Sequence, residues 1–194
     1  MSGVAVRVPA SSANLGPGFD VLACALGVHM ELEVVETGSF AVVTDLPIAR
    51  DRRNLAVRGF AALHPVDRLE FRITSDIPLS GGLGTSAAAI VSGLVAADSM
   101  YELDADLLAH AVRLEGHPDN VAAALRGGFV ICTADGADRF EPPPGIEGVI
   151  AIPPDPVAVY TSRNSRLTRT ISANSAQPGR SRSSSGSCSR CSAR

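Results

Sequence analysis

Between Pro78 and Ala88 the chain reads Pro-Leu-Ser-Gly-Gly-Leu-Gly-Thr-Ser-Ala-Ala, a glycine loop that runs straight into a stretch of small helix-forming residues. Gly81, Gly82 and Gly84 can take positive φ and let backbone amides approach a ligand more closely than side chains would allow. A helix expected over Thr85 to Met100 aims its unpaired N–H groups and the positive end of its dipole at the same spot, which suits an anion. Thr85 and Ser86 add hydroxyls that can donate to phosphate or coordinate a magnesium ion. Ala87 to Ala89 keep the start of the helix slim enough for a nucleotide to lie against it. The plainer alternative is a flexible turn before a helix.

The chain has no lysine: all 17 basic residues are arginine. A GxxxxGK[ST] phosphate loop and Schiff-base catalysis are therefore excluded, and the GxGxxG of a dinucleotide fold is also missing. Seven arginines (163, 166, 169, 180, 182, 190 and 194) follow Ser162, where no acid occurs. Residues 1–162 thus hold 10 arginines against 20 acids, a net charge near −10. So acidic a body is a poor match for a nucleic-acid backbone, and no nucleic-acid partner is expected of it. The longest apolar runs, such as Ala87 to Ile90 and Leu94 to Ala97, are too short to cross a bilayer, so no membrane association is expected. Met1-Ser2-Gly3 leads directly into Val4 to Val8 without the features of a secretion signal, and the expected location is cytoplasmic.

A chain of 194 residues suits one domain, or one and part of another. Val4 to Val8 alternates like a strand, which Pro9 and Ser11 to Gly18 are expected to break into a long loop. His29 to Glu36 and Phe40 to Thr44 read as a hairpin turning near Gly38. Asn54 to Leu63 has helical spacing, and Leu69 to Thr74 alternates again. After the glycine loop and its helix come a second helix, Asp104 to Leu114 with Asp104 as its cap, and a short third one with Pro118 in its first turn, ended by Gly127-Gly128. Phe129 to Thr133 and Val149 to Ile152 are the last expected strands. Strands first and helices later indicate an α+β domain. Cys24 and Cys132 lie among apolar residues and read as core thiols.

Two further stretches carry polar groups at telling intervals. Pro9-Ala10-Ser11-Ser12-Ala13-Asn14-Leu15-Gly16-Pro17-Gly18-Phe19-Asp20 sets an amide and a carboxylate six residues apart on a Gly/Pro-stiffened loop. They can face one small polar molecule, Asp20 suiting an ammonium group and Asn14 a hydroxyl or carboxylate; a surface turn closed by Asn14 is the alternative. In Leu114-Glu115-Gly116-His117-Pro118-Asp119-Asn120, Glu115 follows Leu108 and Val112 on one helical face, so its carboxylate projects from an apolar stripe and needs a partner. Mg²⁺ is one such partner. Otherwise the helix ends there, Glu115 is solvated, and His117 merely leads into Pro118.

The glycine-loop string resembles the second motif of the GHMP kinases (galactokinase, homoserine, mevalonate and phosphomevalonate kinases), with Thr85 replacing a serine. The Asn14/Asp20 string resembles the first motif of the homoserine kinase branch, where other members commonly carry a lysine. The resemblance implies an ATP-binding N-terminal domain of ribosomal-protein-like fold over residues 1–148, followed in the family by a ferredoxin-like C-terminal domain. It implies transfer of the γ-phosphoryl of ATP, with Mg²⁺, to L-homoserine for threonine synthesis. By it, Asn14, Asp20, His117 and Asn120 contact homoserine and Asn54 lies near the adenine. Pro78, Leu79, Ser80, Gly81, Gly82, Leu83, Gly84, Thr85, Ser86, Ala87 and Ala88 hold the nucleotide. Ser86 and Glu115 hold the metal, and Asp20, Ser86 and Glu115 are the catalytic set. A homodimer is left open.

Residues 149–162 are expected to begin the second domain, whose third glycine-rich motif and carboxylate-gripping arginines are not visible. From Arg163 the composition turns to serine and arginine, too polar to offset its ordering entropy, and residues 163–194 are expected to be disordered. Their codons read one base out give leucine, alanine and glycine, so a frameshift near Ser162 is the hypothesis; resequencing that confirmed the tail in frame would sink it. An arginine-rich RNA-binding tail is the alternative, and Cys188 and Cys191 make an isolated CxxC with little claim to a metal. Other readings of the whole chain are another GHMP kinase or an inactive ATP-binding fragment.

Overall fold

The computed structural model describes residues 3–79 and 81–149. The first strand, β1 (Gly3–Ala13), and the second, β2 (Leu22–Glu36), form a long antiparallel hairpin around the Asn14 to Val21 loop. There follow β3 (Ala41–Val43), α1 (Leu55–Ala61), β4 (Leu69–Ser75), α2 (Thr85–Tyr101), α3 (Leu107–Glu115), α4 (Asp119–Arg126), β5 (Phe129–Thr133) and β6 (Gly136–Phe140). The result is the expected α+β arrangement, a single mixed sheet with helices packed on it.

One edge of β2 lies along β1, while the other is divided between two partners. Its second half, Met30 to Glu36, pairs with β4, and its first three residues, Leu22 to Cys24, pair with β5. Between these segments β2 also slips against β1: Pro9 pairs with His29 but Ser11 with Ala25. Proline, having no N–H to give a ladder, is tolerated where the register breaks. The expectation that Pro9 ends the first strand is therefore corrected, since β1 continues four residues past it to Ala13.

The expected hairpin between His29–Glu36 and Phe40–Thr44 does not form. β1 and β4 occupy both edges of β2, and the three-residue β3 instead runs parallel to β4 on its far side. Asp104 is not the cap of α3: it has φ +51°, and Asp106 caps, its side chain accepting from the Ala109 amide. β6, unforeseen, pairs with β5 across the Ala134–Asp135 turn. Val149 is fully exposed and in no strand, while residues 150–152 of that expected strand lie outside the described residues. So do the 163–194 tail and Cys188 and Cys191.

Alternation along the strands explains the layering. Met30, Leu32 and Val34 of β2 and Phe71 and Ile73 of β4 are buried, whereas Glu31, Glu33 and Arg72 between them face solvent. Each large side chain so buried contributes about 1.5–3 kcal/mol. Against this face α2 is enclosed almost all round, with Ala87, Ala88, Ile90, Val91, Ser92, Gly93, Leu94, Ala96 and Ala97 buried. Its small residues make that possible: a Cβ on Gly93 would collide with the Ala56 carbonyl oxygen, and one on Gly59 with that of Ile90. Thus α1 crosses α2 backbone to backbone. Cys132 is buried as expected and Cys24 only half-buried. Among the described residues no helix is long and apolar enough to cross a membrane.

Candidate active site

Gly84 stands at the centre of the candidate site. It has φ +66° and serves as the N-cap of α2 without any side-chain cap bond. The first amide bonded inside the helix is that of Ala88, to the Gly84 carbonyl at 2.8 Å, which leaves the Thr85, Ser86 and Ala87 amides free of intrahelical partners. Gly82 also has φ +69°. Around this tip the loop is tied down: Leu83 is buried, the Ser11 amide donates to the Leu83 carbonyl at 3.1 Å, and the Thr85 hydroxyl donates to the Pro78 carbonyl at 3.2 Å. Ser80 lies outside the described residues. A Cβ on Gly84 would strike the Ser11 hydroxyl and come within 2.9 Å of Asn120 Oδ1, so only glycine fits both the backbone and the space.

The end of α3, the start of α4 and Ser11 of β1 also reach this tip. Glu115 is the last residue of α3, half-buried, and its Oε1 accepts a hydrogen bond from the Ser86 hydroxyl. Gly116, at φ +100°, then turns the chain so that α4 begins beside α2. Asn120, in the first turn of α4, accepts from the Ser11 hydroxyl at 2.8 Å through Oδ1. Its Nδ2 donors remain for a ligand. His117 contacts the fully buried Asp119 at 2.8 Å.

The sequence-predicted residues thus fall into two groups. Ser86, Glu115 and Asn120 gather around Gly84, and His117 joins them through Asp119, the residue before Asn120. Asn14 and Asp20 gather with each other at the tip of the β1–β2 hairpin, both exposed and both at positive φ, with the Asp20 amide donating to Asn14 Oδ1 at 2.8 Å. Asn14 therefore closes its loop, as the plainer reading held, and keeps its Nδ2 donors, while the Asp20 carboxylate is uncommitted. No hydrogen bond among the described residues joins this pair to the other group. Asn54 caps α1 by accepting from the Ala56 amide at 2.9 Å, and its Nδ2 donates to the Ala49 carbonyl at 2.8 Å. Both ends of its amide are engaged in holding the fold.

Ser11 and Asp119 were missed as site residues. Ser11 sits in an expected loop that is in fact strand, and its signal is visible only once β1 is known to reach the glycine loop. Asp119 follows a proline at a helix start, where an acid is unremarkable from sequence.

Chemically, the tip of α2 offers amides and hydroxyls to an anion, with one hydroxyl and one carboxylate, both hard oxygen donors, side by side. Among the described residues no group of three or more His, Cys, Asp or Glu side chains gathers as a metal cage. One carboxylate, one hydroxyl and a phosphate is nonetheless a donor set that suits Mg²⁺, which seldom needs an all-protein site. Asn120 adds amide donors beside it, and the hairpin tip carries those of Asn14 and the Asp20 carboxylate.

Residues 53–128 match the family described as the N-terminal domain of GHMP kinases. The chain is 39% identical to a homoserine kinase of Moorella thermoacetica over 174 residues, covering 81% of this chain and 59% of that one. It is 41% identical to a homoserine kinase of Streptomyces coelicolor, covering 82% and 58%. Its structure resembles that of a homoserine kinase from Cytophaga hutchinsonii with a TM-score of 0.58 and 30% identity, over 74% of this chain and 52% of that one. The chain spans about half to three fifths of the length of the curated relatives it matches.

Proposed function

From the premise that this chain belongs to the GHMP kinases, with homoserine kinases as its relatives, we propose that it serves MgATP-dependent phosphorylation of L-homoserine to O-phospho-L-homoserine, a step toward threonine. The observation that carries the reading is the Ser86–Glu115 hydrogen bond at the uncapped tip of α2, directly after the glycine loop. There the free amides of Thr85, Ser86 and Ala87 would receive phosphate oxygens, and Pro78 to Ala88 would line the nucleotide. Asn54 would act near the adenine from its place at the start of α1.

Ser86 and Glu115 would hold Mg²⁺, whose chemistry is to neutralise charge on the phosphates. The chain's own contribution is then largely positioning, the usual division of labour in phosphoryl transfer. Asp20 would orient the substrate ammonium, and the Nδ2 groups of Asn14 and Asn120 its carboxylate or hydroxyl oxygen. His117 would face the same molecule. No dedicated base is required by this scheme, and Asp20 would be the residue to act as one.

The test is turnover by the chain with MgATP against a panel of L-homoserine, mevalonate, phosphomevalonate and galactose, beside Glu115→Ala. We expect phosphorylation of homoserine alone, and a loss in Glu115→Ala of at least about a hundredfold, the scale for removing one group that stabilises transferring charge. Preference for another alcohol, or unimpaired turnover in Glu115→Ala, would overturn the assignment of substrate or of Glu115 respectively.

A further inference from the structure

We infer that Asp119 is a positioning residue: it fixes His117 in the tautomer that carries its proton on Nδ1 and presents an unprotonated Nε2 to the acceptor substrate. Asp119 is completely buried, whereas the His117 side chain is 40% exposed, so the imidazole is held from the inside and open on the outside. The two meet at Asp119 Oδ1 and His117 Nδ1, 2.8 Å apart. The same oxygen already accepts the Asn120 amide proton at 2.7 Å. A carboxylate oxygen has a second lone pair for Nδ1 but no proton to give, and so Nδ1 is the donor. A neutral imidazole with its proton on Nδ1 can only accept at Nε2.

The surroundings make this arrangement costly unless it has a use. Asp119 Oδ2 is buried without a hydrogen-bond partner among the described residues, and a half-satisfied carboxylate in a core is unfavourable. Its charge is felt by the Cys132 thiol. Among the described residues its hydrogen bonds go to the Asn120 amide and His117, so they serve the α4 start and the imidazole. Asn120 engages its Oδ1 with the Ser11 hydroxyl and keeps its Nδ2 donors for a ligand. Beside those donors, His117 Nε2 would offer an acceptor to a substrate O–H or N–H. That substrate identity rests on the reading proposed above; the tautomer does not.

Long-range ¹H–¹⁵N NMR of the chain, which distinguishes the two neutral tautomers, separates the two claims. His117 is expected to show a protonated Nδ1 and a bare Nε2, unlike an unrestrained ring. In Asp119→Ala the Nδ1–H form should cease to dominate, and binding of homoserine should weaken about tenfold, by analogy with the lower end of what orienting partners of metal-bound imidazoles are worth. An Nε2–H tautomer in the unaltered chain overturns the inference whether or not Asp119→Ala folds. An unchanged tautomer in a folded Asp119→Ala overturns it as well. If the Nδ1–H form is present yet homoserine leaves the Nε2 signal unmoved, the Asp119 role stands and the homoserine assignment fails.

Discussion

Gly84 joins two requirements in one residue, a left-handed backbone and no room for a Cβ between Ser11 and Asn120. Gly84→Ala should lower stability by about 1–2 kcal/mol from the backbone alone, and more from the displaced Ser11–Asn120 contact. Urea unfolding monitored by circular dichroism measures this, with loss of MgATP binding expected alongside. Burial raises the thiol of Cys132, an effect that the Asp119 charge reinforces and Arg126 opposes. A group whose pKa is higher folded than unfolded holds its proton better in the native state, so its contribution is intact below the unfolded pKa and disappears as pH climbs through the folded one. Stability should therefore fall above about pH 8.5, more steeply in the unaltered chain than in Cys132→Ala; equal slopes would exclude the thiol as the cause. At this scale much of the candidate site is legible, because Ser86, Glu115, His117 and Asn120 each lie in short strings whose chemistry shows in their types. Ser11 and Asp119 are not, since their importance comes from burial and from partners 109 and two residues away, which composition does not record.

The helices were read well because period and punctuation are local. Asn54, Pro118 and Gly127 mark their ends in the sequence as they do in the structure. Strand pairing is not local, and there the reading failed: nothing in Phe40 to Thr44 tells that β4 will take the place beside β2 that a hairpin needs. The α1–α2 crossing makes a sharp case for context over propensity. Alanine favours a helix over glycine by about 1 kcal/mol, yet Gly93→Ala should destabilise by about 1–3 kcal/mol, the usual cost of overpacking, because its methyl group meets the Ala56 carbonyl. A rise in the urea midpoint of that variant would mean the helices can separate freely. Asn54→Ala should cost about 1 kcal/mol through the lost cap. If its effect were confined instead to the KM for ATP, with stability untouched, the capping bond would be incidental to a nucleotide contact.

At the scale of the molecule, the acidic body suits a small charged ligand better than a polyanion, and the chain spans only about half to three fifths of its curated relatives. The described portion nevertheless holds Gly81 to Ala88 of the glycine loop together with the Glu115 carboxylate that accepts from Ser86. Saturation with MgATP at a hundred times its dissociation constant should therefore stabilise the chain by about 2.7 kcal/mol, seen as a thermal shift that Glu115→Ala diminishes. The enclosure of α2 carries a consequence for how such binding can be watched. A helix walled in by α1, α3, α4 and the sheet has no private route to solvent, so deuterium should enter the Ile90 to Ala97 amides only during rare openings of the entire domain. Their exchange becomes a clock for global unfolding, and a nucleotide resting on the helix tip should slow every one of those amides by the same factor.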